Sequence, residues 1–187
     1  MLKEHHPNLK LSLFSIPFDY EYELSTIRTQ RESNSQWIQE NKHWMEIIPH
    51  GITHVFKEFG KMSESGMESY IESVAGEFAK DNLEIVNGFC APNWVWNENV
   101  VNALNTHGWW GAVDRNQPHL LRPNKFYRYN LSIDEPFWKH PGPVWKLHGH
   151  MTGPSKNGLS EEIVINLIKH LPVDAEYRFA SELVETK

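Results

Sequence analysis

The sequence contains a single cysteine, Cys90, in 187 residues. A lone thiol excludes an internal disulfide framework and suits a reducing compartment. There is no basic excess either: Asp and Glu outnumber Lys and Arg by 24 to 18, giving a formal net charge of -6. Nucleic-acid backbones are met by basic stripes, so no nucleic-acid partner is expected. No apolar run approaches the roughly 20 residues that a bilayer span needs. The opening segment MLKEHHPNLK has no apolar core of the kind a secretory signal carries. The reading is therefore a cytoplasmic chain with no membrane partner. Disorder is excluded as well, because 40% of the residues are hydrophobic and only 22% are charged. What the chain has in quantity is histidine, 11 residues, and tryptophan, 8 residues. Histidine is the commonest metal ligand and a frequent acid or base. Tryptophan offers flat apolar faces to a ligand. Together they fit an enzyme or a ligand-binding domain.

The hydrophobic pattern alternates between strand and helix periods. Lys10–Phe18 reads as a buried strand, and Asn34 or Ser35 caps a helix running through Trp37, Ile38 and Trp44. Met45–Ile48 is a short strand leading into the turn at Pro49. Met67, Tyr70, Ile71, Val74 and Phe78 have helical spacing within Ser63–Lys80. Leu83–Phe89 reads as the next strand. Asn97 opens a helix that Gly108 closes, with a polar cap at one end and glycine at the other. Strands are expected at Trp109–Val113, Phe126–Leu131, Val144–His148 and Tyr177–Ala180, with a helix from Ser160 through Leu171. Such alternation implies βα units and a parallel sheet or barrel. Nothing in the chain is long enough or biased enough to be a linker, so one domain spanning residues 1–187 is expected.

Four places carry candidate chemistry. His50 and His54 are four residues apart, just after a predicted strand, where both imidazoles can face one ion; the alternative is two unrelated loop histidines. In Leu147-His148-Gly149-His150 the two histidines share one face of a strand, or else decorate a surface turn. In Gly88-Phe89-Cys90-Ala91-Pro92-Asn93-Trp94, also at a strand end, the proline stiffens a turn whose backbone N–H groups can line a pocket. Cys90 itself reads as a small buried hydrophobe rather than a nucleophile. Finally, Asp19 and Asp114 end predicted strands and suit a ligand, a general base or a plain turn residue. All four places fall at the C-terminal ends of predicted strands, which converge on one rim in a parallel βα fold.

The succession HGITH, then GFCAPNWVWNENVVNALNTHGWWGAVD, then VWKLHGHM, resembles the polysaccharide deacetylase family. This is the chitooligosaccharide deacetylase homology domain of carbohydrate esterase family 4. The resemblance extends from Lys10 to Leu183. It implies an α/β fold of the incomplete, distorted βα-barrel type. It also implies hydrolytic removal of N- or O-acetyl groups from carbohydrate with a divalent metal, Zn2+. The family's H-x-x-x-H metal motif matches His50 and His54, and its Leu-His motif, which carries the general acid, matches Leu147-His148, with His150 a second candidate. Its R-x-P-aromatic motif, followed by a capped helix and a G-[FYW]-x-x-x-D strand, resembles Cys90–Asp114, and the resemblance implies that Pro92, Asn93, Trp94 and Asp114 line the substrate, with Asp19 as a metal ligand. Trp94, Trp96 and Trp138 are the expected sugar-stacking platforms.

Two departures from that pattern stand out. The family's first strand ends in an Asp-Asp pair, one carboxylate a base and the other a ligand, and this sequence contains no such pair. The resemblance then implies an N-terminally shortened chain, opening inside the following helix, with Lys10–Phe18 beside a gap. An open strand edge invites a second copy, hence the expectation of a homo-oligomer. Cys90 also stands where the family has Arg. The alternative reading is a non-catalytic carbohydrate-binding or remnant domain of the same fold. A further one is a hydrolase of this fold acting on a non-sugar amide.

Overall fold

The computed structural model describes residues 1–17, 34–54, 57–150 and 158–187. The elements in chain order are α1 (Leu2–His5), β1 (Leu11–Ser15), α2 (34–40), β2 (Met45–Pro49), α3 (Glu64–Ala79), β3 (Gly88–Cys90), α4 (Glu98–Thr106), β4 (Trp110–Val113), β5 (Lys125–Arg128), β6 (Leu131–Ser132), β7 (Leu147–His148), α5 (Glu161–His170) and β8 (Glu185–Thr186). The fold is mixed α/β with parallel strand pairs, as the alternating pattern implies. The chain divides into two compact units, Lys10–Tyr127 with Phe179–Lys187 and Met1–Leu9 with Arg128–Arg178.

In the larger unit β1 runs parallel to β2, Leu11 opposite Met45 and Ser15 opposite Pro49. Every residue of β2 is buried while β1 is half-buried along its length. The second sheet has the order β3-β4-β5-β8, with β3 parallel to β4 and β8 antiparallel to β5. The helix at α2 stops short of Trp44. Asn41 donates from Nδ2 to the Trp37 carbonyl at 2.7 Å and accepts the Trp44 indole N–H at 2.9 Å. An amide side chain competing for backbone partners favours a turn over another helical turn. Helix α3 buries Met67, Tyr70, Ile71, Val74 and Phe78, the stripe the sequence spacing predicts, and Ser63 Oγ caps it by accepting from Gly66 N–H at 3.1 Å. Asn97 caps α4 in the same way, accepting from Val100 N–H at 3.2 Å.

Several predicted strands come out differently, among them Phe126–Leu131, which divides into β5 and β6. Leu83–Phe89 shortens to β3, because Leu83 N–H bonds the Phe78 carbonyl at 3.1 Å and closes α3. Asn82, at φ 56°, turns the chain there in the left-handed conformation that asparagine tolerates. Tyr177–Ala180 is not a strand. The N–H groups of Phe179, Ala180 and Ser181 donate to side chains instead, to Glu182 Oε2 at 2.6 Å, Ser12 Oγ at 2.8 Å and Glu46 Oε1 at 3.1 Å. Glu46 is buried, and it also accepts from the hydroxyls of Ser12 and Ser181. A buried carboxylate with this many donors is stable where a bare one is not.

The core of this unit joins Ile47 of β2, the α3 stripe, Phe89, and Val100, Val101 and Leu104 of α4. At its centre Phe89 meets Phe59 at 4.7 Å, Tyr70 at 5.6 Å and Trp96 at 6.0 Å between ring centroids. In the smaller unit β6 lies parallel to β7, and Leu131, Ile133, Phe137, Ile163 and Leu167 form the core. Asn130 explains why β7 is short. Its Oδ1 accepts from Lys146 N–H at 2.9 Å and its Nδ2 donates to the Val144 carbonyl at 3.2 Å, replacing ladder bonds with side-chain ones.

Two glycines test this packing in opposite directions. A Cβ on Gly88 would lie 2.2 Å from the Trp110 indole, whereas one on Gly76, on the exposed face of α3, meets nothing within 4 Å. Gly88→Ala is expected to destabilise by about 1–3 kcal/mol through overpacking. Gly76→Ala is expected to stabilise by about 0.5–1 kcal/mol through helix propensity. Urea midpoints moving in the same direction would contradict the Gly88–Trp110 packing.

Candidate functional site

Strand β2 ends at Pro49, and the next five residues carry both histidines of the H-x-x-x-H segment. His50 is half-buried and His54 exposed, and their ring centroids are 4.9 Å apart. The His50 imidazole is fixed from the neighbouring strand: its Nδ1 is 2.8 Å from the Cys90 carbonyl oxygen. A carbonyl only accepts, so Nδ1 carries the proton and, in the neutral ring, Nε2 carries the lone pair. That is the tautomer a metal binds, oriented by a backbone carbonyl behind it. Phe14 of β1 lies 6.0 Å from the His50 ring and 6.4 Å from Trp94, edge-on to the latter.

The turn between the two histidines wraps a carboxylate. Glu58 accepts from Ile52 N–H at 2.9 Å and Thr53 N–H at 3.2 Å through Oε1, and from His54 N–H at 3.1 Å through Oε2. Gly51 has φ +97°, and a Cβ there would fall 2.6 Å from Pro92 Cγ and 2.9 Å from Glu58 Oε2. Its carbonyl accepts from Tyr70 Oη at 3.2 Å. Sequence reasoning missed Glu58. The one available signal was a carboxylate four residues after His54.

Backbone strain gathers around the same place. Among the described residues, the non-glycine ones with positive φ are His54, Lys57, Asn82, Asn93 and Trp94. All but Asn82 lie in the loops after β2 and β3. A bulky residue such as Trp94 at φ 61° is a genuine outlier, of order 1–3 kcal/mol, and such outliers cluster where function fixes geometry. The loop after β3 is two overlapping turns, Trp94 N–H to the Ala91 carbonyl at 3.0 Å and Val95 N–H to the Pro92 carbonyl at 3.3 Å. Pro92 has no N–H, so the amide of Asn93 is the one these turns leave unengaged.

The expected site residues divide as follows. His50, His54, Pro92, Asn93, Trp94 and Asp114 belong to the larger unit, and His148 and His150 to the smaller. Within the larger unit the ends of β2 and β3 are joined by the His50–Cys90 bond. Asp114 follows β4, where its Oδ1 accepts from Asn116 N–H at 2.7 Å, a side-chain turn of the ordinary kind. Asp19 lies outside the described residues. In the smaller unit the His148 ring is 5.1 Å from His150 and 5.0 Å from Tyr129, an aromatic neighbour the sequence reading did not single out. Of the three tryptophans expected to stack on sugar, Trp94 is half-buried. Trp96 is core, its indole N–H donating to the Leu121 carbonyl at 2.8 Å, and Trp138 stacks on His170 at 3.9 Å. Among the described residues, no group of three or more His, Cys, Asp or Glu is assembled that could hold a metal ion. Nor is any helix among them long and apolar enough to cross a membrane.

Burial holds the Cys90 thiol well above its ordinary value of 9.0. It likewise raises the phenols of Tyr70 and Tyr127 above their ordinary 10.0, with the charges of Glu58 and Glu46 adding to the respective shifts. In each case the folded chain keeps a proton that the unfolded chain gives up. These groups therefore leave stability intact below about pH 9 and erode it as the pH rises above that, by at most about 1.4 kcal/mol per pH unit for each group. The urea midpoint is expected to be flat in this respect up to about pH 9 and to decline beyond it. Cys90 is expected to react with a thiol reagent only on global unfolding. Rapid labelling of the folded chain at neutral pH would contradict its burial.

Comparison with known proteins is sparse. No protein-family model matches the chain, and no curated protein matches it. Among solved structures it is similar to a family 4 carbohydrate esterase from Streptomyces lividans in complex with acetate, at 14% identity and a TM-score of 0.43. The match covers 60% of this chain and 53% of that one, so this chain spans about half the length of the esterase.

Proposed function

We propose that this chain is a metal-dependent hydrolase of the polysaccharide deacetylase type, removing acetyl groups from N- or O-acetylated carbohydrate. The observation that carries the reading is the pair of imidazoles, His50 and His54, with rings 4.9 Å apart and His50 held by the Cys90 carbonyl in its metal-binding tautomer. Imidazole nitrogens suit a borderline divalent ion such as Zn2+. Such a site takes a third protein ligand, and Asp19 is the proposed one. Bound there, the ion would supply Lewis-acid polarisation and an activated water. The single domain, the incomplete βα barrel and a homo-oligomer built on the β1 edge belong to the same proposal.

The chain's own residues then have separate tasks. His50 and His54 hold the ion. The Asn93 N–H is the donor for a developing oxyanion, since the amides on either side of it are tied into turns or absent. The half-buried Trp94 forms a wall for a sugar ring, the fully buried Pro92 shapes the loop behind it, and Asp114 hydrogen-bonds a hydroxyl. His148 or His150 is the proposed general acid, a role worth about 10²–10⁴-fold. A second reading is a non-catalytic carbohydrate-binding domain of this fold, since among the described residues the two imidazoles are not joined by a further metal-ligating side chain.

The deciding measurements are metal content and acetate release from acetylated chitooligosaccharides. The parent chain is expected to retain about one Zn2+ after dialysis, and a His50→Ala/His54→Ala variant none. Equal metal in both would remove the basis of the proposal. Acetate release that falls at least 100-fold in His148→Ala or His150→Ala, with metal content unchanged, identifies the acid. Saccharide binding without acetate release selects the non-catalytic reading.

A further inference from the structure

We propose that Glu58 is a positioning residue for the histidine pair, the internal anion around which the His50–His54 turn is built. The inference rests on the metal-binding reading of that pair. Three consecutive backbone amides, those of Ile52, Thr53 and His54, converge on the Glu58 carboxylate at 2.9, 3.2 and 3.1 Å. Such a concave run of N–H groups is the arrangement that binds phosphate or sulfate at anion sites. Here the anion comes from the chain itself, four residues beyond the second histidine. Both carboxylate oxygens are directed at amides, so Glu58 acts through the loop and is not assigned as a ligand.

The geometry gives the carboxylate something to hold. No helix orients His54: it follows a strand, is exposed, and sits at φ 59°, a conformation that a histidine leaves when nothing restrains it. His50 is fixed independently by the Cys90 carbonyl, so the separation of the two rings depends on the path of residues 51–54. That path is pinned on its carbonyl side by Tyr70 Oη on Gly51 and on its amide side by Glu58. Gly51 has no room for a side chain between Pro92 and Glu58 Oε2, so the turn closes against the carboxylate and the β3 loop together. Charge-assisted bonds to backbone amides are the stronger kind, and here they set the bite of the two imidazoles before any ion arrives.

The test uses the full chain with Glu58→Ala and Glu58→Gln, Zn2+ alone as the metal probe, and formate as a small carboxylate that can refill the emptied nest. Two readouts are taken. One is Zn2+ affinity by competition with a chromophoric chelator. The other, without metal, is hydrogen exchange of the Ile52, Thr53 and His54 amides together with the imidazole proton resonances of His50 and His54. Glu58→Ala is expected to weaken Zn2+ binding about 10–100-fold, as loss of an orienting group does. Formate is expected to restore part of that loss and part of the amide protection. Glu58→Gln is expected to fall between, because its amide oxygen accepts but the charge and the second acceptor are gone. It also stands in for the alanine variant if that one does not fold. A general loss of stability would not be reversed by formate. Unchanged Zn2+ affinity in a folded variant, with the parent chain binding Zn2+, overturns the proposal. If the parent binds no Zn2+, the metal reading fails, and the metal-free signals decide Glu58 alone. Loop amides that lose protection in the variant and regain it with formate support its role, and unchanged amides and imidazoles overturn it.

Discussion

The ring of Phe89, fully buried against Phe59, Tyr70 and Trp96, is the contact on which the larger unit depends. Each partner comes from a different piece of chain: the loop after β2, helix α3 and the loop after β3. Phe59 and Trp96 also pair as an isolated backbone bridge. Aromatic rings bury large apolar areas and prefer tilted contacts, so a cluster of four tolerates few alternative arrangements. The two loops that carry His50, His54 and Trp94 leave this cluster within a few residues on either side. Their positions are inherited from it.

That support explains how the loops can hold unfavourable backbone conformations. Left-handed φ values at His54, Lys57, Asn93 and Trp94 persist only where the surroundings over-determine them. Buried Phe59 follows Lys57 by two residues, and buried Trp96 follows Trp94 by two. Polar ties complete the restraint, with Tyr70 on the Gly51 carbonyl, Glu58 on three amides and His50 on the Cys90 carbonyl. Preorganised polar groups above a rigid apolar base are what a binding site needs if its geometry is to exist before the ligand does.

Strand β2 shows how the same element serves both ends. Glu46 is the second residue of β2, and His50 directly follows its last, Pro49. Near the strand's start the Glu46 carboxylate is closed over by Ser12 and Ser181, which latches the C-terminal segment onto β1 and β2. After its end His50 meets the loops. One buried acid therefore belongs to the architecture while the histidine beyond it belongs to the candidate site. The difference is set by which neighbours reach each end.

The sequence by itself determined what is local. The caps Ser63, Asn97 and Ser160, the α3 stripe and the short strand β2 follow from interactions within a few residues, whereas burial does not: Lys10–Phe18 reads as the buried strand, yet β1 is half-buried and β2 fully buried. The spacing of His50 and His54 was legible for the same reason, as was the inert character of Cys90 in an apolar strand. Strand lengths were not, because Asn82 turns the backbone at a positive φ, while Asn130, Ser12, Glu46 and Glu182 draw backbone bonds onto side chains whose partners are distant in sequence or depend on a turn. Only the tertiary structure decided that the Cys90 carbonyl sets the His50 tautomer, that Trp96 is core while Trp94 is half-exposed, and that Glu58 fills the turn between the histidines. Each of those rests on a hydrogen bond or ring contact whose direction is fixed by the path of the whole loop, and a path is a property of packing, which residue order encodes without displaying.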